Sequence, residues 1–203
     1  MTKKAAGIAN EVRLEIVRTL EWMKEQTKVL SDGELNYLVD EILNFGKEKE
    51  IFVTGKGRSG LVARAFAMRL AHLGYRVRIL GEDTAPPVKK GDLFLVVSGG
   101  GENRKEETKI AKNLGATIVV VTSYPESTLG RLADICLVIR GREKEGAAVP
   151  YRDRRMRGLP VLALGTSFED YCLIVFDSII GYVAADQGQS ESDLQDRHTP
   201  LQL

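Results

Sequence analysis

Two glycine-rich segments carry the residue types that hold an anion. Each follows an apolar run and precedes a helical run, at residues 55–60 and at residues 98–103. Glycine lets the backbone approach a ligand closely, and a helix N-terminus offers unpaired N–H groups and the positive end of a dipole. Two such segments on neighbouring strands would converge on one anion, and a phosphate is the anion that they favour. The predicted binding residues are Gly57, Arg58, Ser59, Ser98, Gly99, Gly100, Gly101, Glu102 and Asn103.

The first segment also fits a different binding class. Its glycines at 55, 57 and 60 match the dinucleotide fingerprint, and Glu82 follows at the distance of a ribose-binding acid. Arg58 and Ser59 argue against that class, because a dinucleotide fold relies on backbone where these side chains stand. The second glycine segment would also be superfluous for a pyrophosphate. A pair of purely structural turns is a further alternative.

The elements that must position these segments alternate between strand and helix. The continuous apolar runs at 92–97 and 117–122 are typical of parallel strands that are buried on both faces. This alternation predicts an α/β fold with a doubly wound parallel sheet, in which ligands bind beyond the carboxyl ends of the strands. We expect strands near 50–54, 76–80, 92–97, 117–122 and 135–139, and helices near 5–29, 31–46, 60–73, 103–114, 127–133 and 167–185.

Residues 140–160 interrupt the alternation and concentrate arginine with glycine and proline. This segment is predicted as a solvated loop, and a mobile lid over an anionic substrate or a subunit contact is the alternative. The helix at 167–185 has a broad apolar face that suits a partner subunit as well as the core. The tail from Ser190 is predicted to form a short capped helix. We therefore divide one domain, residues 1–203, into N-terminal helices (1–48), a sheet core (49–140), a basic loop (141–160) and C-terminal helices (161–203).

Composition excludes several classes of function. The formal net charge is +1 over 203 residues, which gives no electrostatic reason for nucleic-acid binding. No apolar run is long enough to span a membrane, and the N-terminus lacks the apolar stretch of a secretion signal. Cys136 and Cys172 lie in apolar surroundings and are predicted to be buried thiols. These features predict a cytoplasmic protein without membrane or nucleic-acid partners.

Five segments of the chain match a known family in order, from about residue 8 to the end. They are residues 57–70, His72-Leu73-Gly74, Gly81-Glu82 with Thr84 and Pro86, residues 164–169, and Arg197-His198 with Leu201. Through these segments the chain resembles the sugar isomerase (SIS) family, and within it the 6-phospho-3-hexuloisomerases. The resemblance implies a flavodoxin-like sheet of five parallel strands, usually in a homotetramer. It also implies interconversion of 3-hexulose 6-phosphate and fructose 6-phosphate without cofactor or metal, in the ribulose monophosphate pathway.

The resemblance also implies which residues act on the substrate. Moving a carbonyl from C3 to C2 needs a carboxylate base and a group that shuttles protons between oxygens. Glu169 matches the family base, although Thr166 and Glu169 also have the spacing of a helix capping box. His198 matches a C-terminal histidine that often reaches a neighbouring subunit's site. His72 matches the family too, and we expect it to be a half-buried structural histidine.

The second glycine segment departs from the family pattern. The family typically has Ser-Gly-Ser-Gly-Glu-Thr, whereas this chain has Ser98-Gly99-Gly100-Gly101-Glu102-Asn103. Two hydroxyl donors are therefore missing, and Arg58 or the arginines at 152–157 are candidates to compensate. A non-catalytic phosphosugar sensor remains an alternative function, because such a protein needs the phosphate loops but no base. Glu169 and His198 are the residues that separate the two classes.

Overall fold

A sheet of five parallel strands forms the centre of the molecule. The computed structural model describes residues 3–141, 149–159, 161–162 and 165–198. The strand order is β2-β1-β3-β4-β5, which confirms the predicted doubly wound α/β fold. The strands are β1 (Glu50–Gly55), β2 (Arg76–Ile79), β3 (Leu93–Val97), β4 (Thr117–Thr122) and β5 (Ile135–Val138).

Eight helices accompany these strands in the described parts of the chain. Helices α2, α3 and α7 pack against one face of the sheet, and α4 and α5 cover the other. Both faces of β3 are thus covered, and all five of its residues are buried, as its continuous apolar run predicts. The helices are α1 (Lys3–Thr27), α2 (Asp32–Leu43), α3 (Arg58–His72), α4 (Lys105–Asn113), α5 (Thr128–Leu132), α6 (Tyr151–Met156), α7 (Thr166–Asp186) and α8 (Glu191–Asp196).

Helices α3 and α7 lie side by side on the sheet. The rings of Phe66 on α3 and Phe176 on α7 stack at a centroid distance of 4.1 Å and an interplanar angle of 14°. Both rings are fully buried, so this contact removes a large apolar area from water. The packing sets the N-terminus of α7 beside that of α3.

Three glycines allow close contacts at the carboxyl edge of the sheet. A Cβ on Gly55 would lie 2.8 Å from the backbone nitrogen of Gly60, where β1 turns into α3. Gly99 and Gly141 accommodate Phe168, because a Cβ on Gly99 would lie 2.9 Å from its ring and a Cβ on Gly141 would lie 2.5 Å from its backbone nitrogen. Phe168 is therefore held between the ends of β3 and β5.

The structure corrects one sequence-based expectation about the helices and adds detail to two others. A short helix, α6, lies inside the segment 140–160 that was predicted as a loop. The predicted apolar face of α7 is buried against the core of its own chain, while Leu173, Ile174 and Tyr182 of the same helix are exposed. Helix α1 shows the opposite pattern, because most of its apolar residues are exposed. Those residues are Ile8, Val12, Leu14, Ile16, Val17 and Leu20.

Two further expectations concern capping and cysteine. The N-cap of α7 is Gly165 with no side-chain cap bond, so the capping box predicted for Thr166 and Glu169 is absent.

Cys172 is buried as predicted, but Cys136 on the edge strand β5 is only half-buried. Burial still raises the pKa of the Cys136 thiol to about 11, with Glu34 adding to the effect. Of the basic segment, Arg142 and Lys144 lie outside the described residues.

Within the described ranges, no helix is both long and apolar enough to cross a bilayer.

The close approach at Gly55 predicts a measurable cost of adding one methyl group. We expect Gly55→Ala to lower the free energy of unfolding by about 1–3 kcal/mol, because the backbone of the turn must shift to admit the Cβ. The matched control is Gly100→Ala, where a Cβ meets no atom within 4 Å. Denaturant unfolding of both variants checks this prediction. Equal midpoints for the two variants would show that the turn tolerates the methyl group.

Candidate active site

The two glycine segments meet at the carboxyl edge of the sheet, as predicted. Gly55 pairs with Val97 across β1 and β3, so the segments that follow these residues start as neighbours. Helices α3, α4 and α7 begin at this edge, and none of them has a side-chain cap bond. By contrast, Ser31, Ser127 and Ser190 cap the helices α2, α5 and α8. The edge therefore combines three helix N-termini whose dipoles favour an anion.

A buried carboxylate lies among these helix ends. Glu169 is 7% exposed, and its Oε1 accepts a hydrogen bond of 3.0 Å from the hydroxyl of Ser59. Because Phe168 is held between Gly99 and Gly141, the next residue is fixed beside the first glycine segment. Glu169 and Ser59, predicted separately as base and phosphate ligand, thus form one hydrogen-bonded pair between α7 and α3.

Arg58 contacts the carboxylates of Glu169 and Asp170. Its Nε is 3.6 Å from Oε2 of Glu169, and its Nη2 donates to Oδ1 of Asp170 at 3.0 Å. The sequence prediction made Arg58 an anion ligand and did not single out Asp170. A carboxylate next to a candidate base is the signal that could have identified Asp170.

The second glycine segment contains one buried hydroxyl without a hydrogen-bond partner among the described residues. Ser98 is 2% exposed, and its Oγ is the atom concerned. A buried hydroxyl of this kind is costly unless a ligand or water completes it. Gly100 borders open space, so this part of the loop has room for a bound group.

Glu102 and Asn103 occupy different surroundings in the same loop. The backbone N–H and the hydroxyl of Thr128 both donate to the Glu102 carboxylate, and these bonds lower the pKa of that carboxyl. Glu102 thereby ties the loop to the start of α5, and its carboxylate is committed to that role. The side chain of Asn103 is exposed at the approach to α4.

Arg104 adds a strained backbone position that the sequence did not reveal. Its φ is 72°, the left-handed region that costs a residue with a Cβ about 1–2 kcal/mol. Its Nη1 donates to Glu107 at 2.9 Å, which orients the guanidinium along the first turn of α4. Strained residues of this kind concentrate where a loop must hold a ligand.

His198 lies far from Glu169 within one chain. Its ring is 5.2 Å from that of His72, at the C-terminal end of α3, and Arg197 fixes the tail there by donating to the His72 carbonyl at 2.8 Å. Ser59 stands at the opposite end of α3. Thirteen residues at the helical rise of about 1.5 Å separate the two positions by about 20 Å. His198 and Glu169 of the same chain therefore do not share a site.

The histidine at the end of α3 is more buried than predicted. His72 is 5% exposed. Burial, followed by the charge of Arg69 and by His198, lowers the pKa of His72. A neutral, buried imidazole agrees with the structural role expected for this residue.

One described arginine of the basic segment pairs with the N-terminal helix. Arg155 forms an ion pair with Glu11 of α1. The predicted compensation by the arginines at 152–157 therefore loses its support at Arg155.

Comparison with known proteins gives the family of the chain. The SIS domain family model matches residues 44–151. A Bacillus subtilis protein named 3-hexulose-6-phosphate isomerase is 30% identical over 92% of this chain and 97% of its own length. A Methanocaldococcus jannaschii protein of the same name is 33% identical over 83% of this chain and 84% of its own length.

A solved structure agrees with these relatives. It is of a protein from Methanococcus jannaschii whose structure is described as inferring the function of a 3-hexulose-6-phosphate isomerase. The TM-score is 0.71, the identity is 29%, and the match covers 95% of this chain and 99% of the other. The relatives thus extend over nearly the whole chain, and not over the glycine segments alone.

Proposed function

Because the chain belongs to the SIS domain family, we propose that it is a phosphosugar isomerase that interconverts 3-hexulose 6-phosphate and fructose 6-phosphate. The observation that carries this proposal is the Glu169 carboxylate, which is buried and hydrogen-bonded to Ser59 between uncapped helix ends. A phosphosugar sensor has no need of such a carboxylate. The relatives named as isomerases support the enzyme over the sensor and over a dinucleotide-binding protein.

The reaction assigns one proton transfer to Glu169. The carboxylate removes the proton from C2 of the hexulose, and the electron pair of that C–H bond forms the C2–C3 double bond of an enediolate. The C3 carbonyl oxygen takes the negative charge. Return of a proton to C3 and transfer of the hydroxyl proton from O2 to O3 complete the isomerisation. Fixed donors near that oxygen lower the barrier, because the charge develops only in the transition state.

The phosphate is proposed to bind at the second glycine segment. The Oγ of Ser98, which has no partner among the described residues, and the backbone N–H groups at the start of α4 provide donors that suit a phosphate. Glu102 would act through the loop by holding it against α5, and Gly99, Gly100 and Asn103 would contribute backbone or amide donors. The N–H of Gly101 donates to the Ser98 carbonyl at 2.9 Å, so Gly101 would shape the turn of the loop. Gly57 and Ser59 shape the facing wall.

The site is proposed to be completed by a second subunit. His198 lies beside His72 and Glu169 lies beside Ser59, at opposite ends of α3 about 20 Å apart, so His198 can assist ring opening only in a neighbouring subunit's site. The exposed apolar residues of α1 are a candidate contact between subunits, because a large exposed apolar patch usually marks an interface. The family resemblance makes a homotetramer the assembly we propose. The proposed setting is the ribulose monophosphate pathway of the cytoplasm, where the two free thiols would remain reduced.

Removal of the base tests the function directly. We expect Glu169→Gln to lower kcat roughly 10²-fold or more, because the amide keeps the size of the side chain but cannot accept the proton. A coupled assay from 3-hexulose 6-phosphate through fructose 6-phosphate to glucose 6-phosphate measures kcat. Circular dichroism confirms that the variant is folded. Near-normal turnover by the folded variant would reject Glu169 as the base.

Mixing two inactive variants tests the shared site. Under conditions that exchange subunits, Glu169→Gln and His198→Ala should regain about a quarter or less of wild-type activity, because some sites then combine an intact Glu169 with an intact His198. Each variant incubated alone is the control. No recovery, after exchange has been demonstrated by mass-labelled subunits, would show that His198 does not act in a neighbouring site.

Restoring the two missing hydroxyls tests the phosphate loop. Gly100→Ser combined with Asn103→Thr should lower KM for the sugar phosphate about tenfold or more, because hydrogen bonds to charged groups are worth about 1.5–3 kcal/mol each. Position 100 has space for the new side chain. Gly33→Ser, on the exposed first turn of α2, is the control for a glycine-to-serine change. An unchanged KM would place the phosphate elsewhere.

A further inference from the structure

We propose that Asp170 is a positioning residue that holds the Arg58 guanidinium over Glu169, where Arg58 stabilises the enediolate and does not bind the phosphate. The inference rests on the proposed isomerase function and assigns two residues to roles in it. It replaces the sequence prediction that Arg58 is an anion ligand of the glycine loop.

The Arg58 guanidinium contacts two neighbouring carboxylates, those of Glu169 and Asp170. Arg58 is the first residue of α3, and Glu169 and Asp170 are consecutive residues near the start of α7. Nη2 of Arg58 donates to Asp170 at 3.0 Å, and Nε lies 3.6 Å from Oε2 of Glu169. A planar guanidinium has five donors in a fixed arrangement, so anchoring one nitrogen also orients the others.

The exposure of the three side chains explains why an anchor is needed. The Arg58 side chain is 58% exposed and that of Asp170 is 41% exposed, whereas that of Glu169 is 9% exposed. A long, exposed arginine loses conformational freedom when it is confined to one position. An ion pair with this exposure contributes little to folding stability. Its main consequence is therefore the position of the guanidinium beside the buried base.

The position of the Arg58 guanidinium beside Glu169 suits the charge changes of the proposed proton transfer. When Glu169 takes the proton from C2, its own charge is neutralised and a negative charge develops on the C3 oxygen of the enediolate. The Arg58 guanidinium already lies next to Glu169, which accepts the proton. Only a short shift would therefore bring the guanidinium to the negative charge that develops on the C3 oxygen. Arginine stays protonated throughout, so it stabilises charge without exchanging a proton. An interaction that strengthens only in the transition state raises kcat and leaves KM almost unchanged.

A phosphate-binding Arg58 would behave differently in kinetics. The phosphate carries the same charge in the bound substrate and in the transition state, so losing its ligand raises KM and leaves kcat nearly constant. The separation of kcat from KM therefore distinguishes the two roles of Arg58. A purely structural role for the ion pair would change neither constant per folded molecule.

The experiment measures kcat and KM for 3-hexulose 6-phosphate in Arg58→Gln, Asp170→Asn and the double variant. We expect Arg58→Gln to lower kcat roughly 10²-fold, and Asp170→Asn to lower it about tenfold, with KM within about twofold in both. The double variant should match Arg58→Gln, because Asp170 acts only through Arg58. Asp170→Glu, which keeps the carboxylate, should recover most of kcat. Arg58→Lys should recover part of it.

Asp134→Asn is the matched control. Asp134 pairs with Lys112 at 3.0 Å and has a side-chain exposure of 44%, close to the values for Asp170, but it contacts neither Glu169 nor the glycine loops. The kcat of the Asp134→Asn variant should equal that of the wild-type protein. Thermal unfolding of every variant shows that the kinetic constants refer to folded protein.

Three results would overturn the inference. The first is a raised KM with unchanged kcat in Arg58→Gln, which would make Arg58 a phosphate ligand. The second is an Asp170→Asn variant as active as Asp134→Asn. The third is independent losses that multiply in the double variant. A wild-type chain without isomerase activity would instead overturn the proposed function, and this inference with it. An active chain that depends on Glu169 but not on Arg58 would contradict only the inference.

Discussion

The packing of α7 against α3 and the sheet is the constraint on which the site depends. The stacked rings of Phe66 and Phe176 fix the two helices along their length. Phe168, held between Gly99 and Gly141, fixes the start of α7 at the sheet edge. As a result, two residues separated by 110 positions in the chain form a hydrogen bond of 3.0 Å between a hydroxyl and a carboxylate. A change that shifted α7 by a fraction of an ångström would be felt first at this bond.

The same edge of the sheet separates two chemical tasks. Helix ends without side-chain caps and the buried hydroxyl of Ser98 suit an anion that keeps its charge during the reaction. The pair of Glu169 and Ser59 suits a proton that moves. Burial of a carboxylate is costly unless donors compensate, and Ser59 and the Arg58 guanidinium are placed to do so. The buried carboxylate of Glu169 and the left-handed backbone of Arg104 both reduce folding stability, and both lie in the region where the proposed chemistry occurs.

Sequence patterns predicted the parts of the fold that depend on local periodicity and loop chemistry. The run Leu93–Val97 predicted a strand buried on both faces, and the glycine segments predicted where α3 begins. Patterns could not predict contacts between distant elements. Three features depend on tertiary packing. They are the position of Phe168 between Gly99 and Gly141, the salt bridge of Arg58 with Asp170, and the separation of His198 from Glu169. Periodicity did reveal the amphipathic character of α1, but it could not show that its apolar face is exposed in one chain.

Solvent isotope exchange is the most direct measurement of the central claim that Glu169 removes a proton from the carbon skeleton of a sugar phosphate. Fructose 6-phosphate incubated with the protein in D2O should take up deuterium at C3, which NMR detects, because the enediolate is reprotonated by a base that exchanges with solvent. Glu169→Gln should abolish this uptake while the fold remains intact. Uptake by Glu169→Gln at the wild-type rate, or no uptake and no isomerisation by the wild-type protein, would contradict the account.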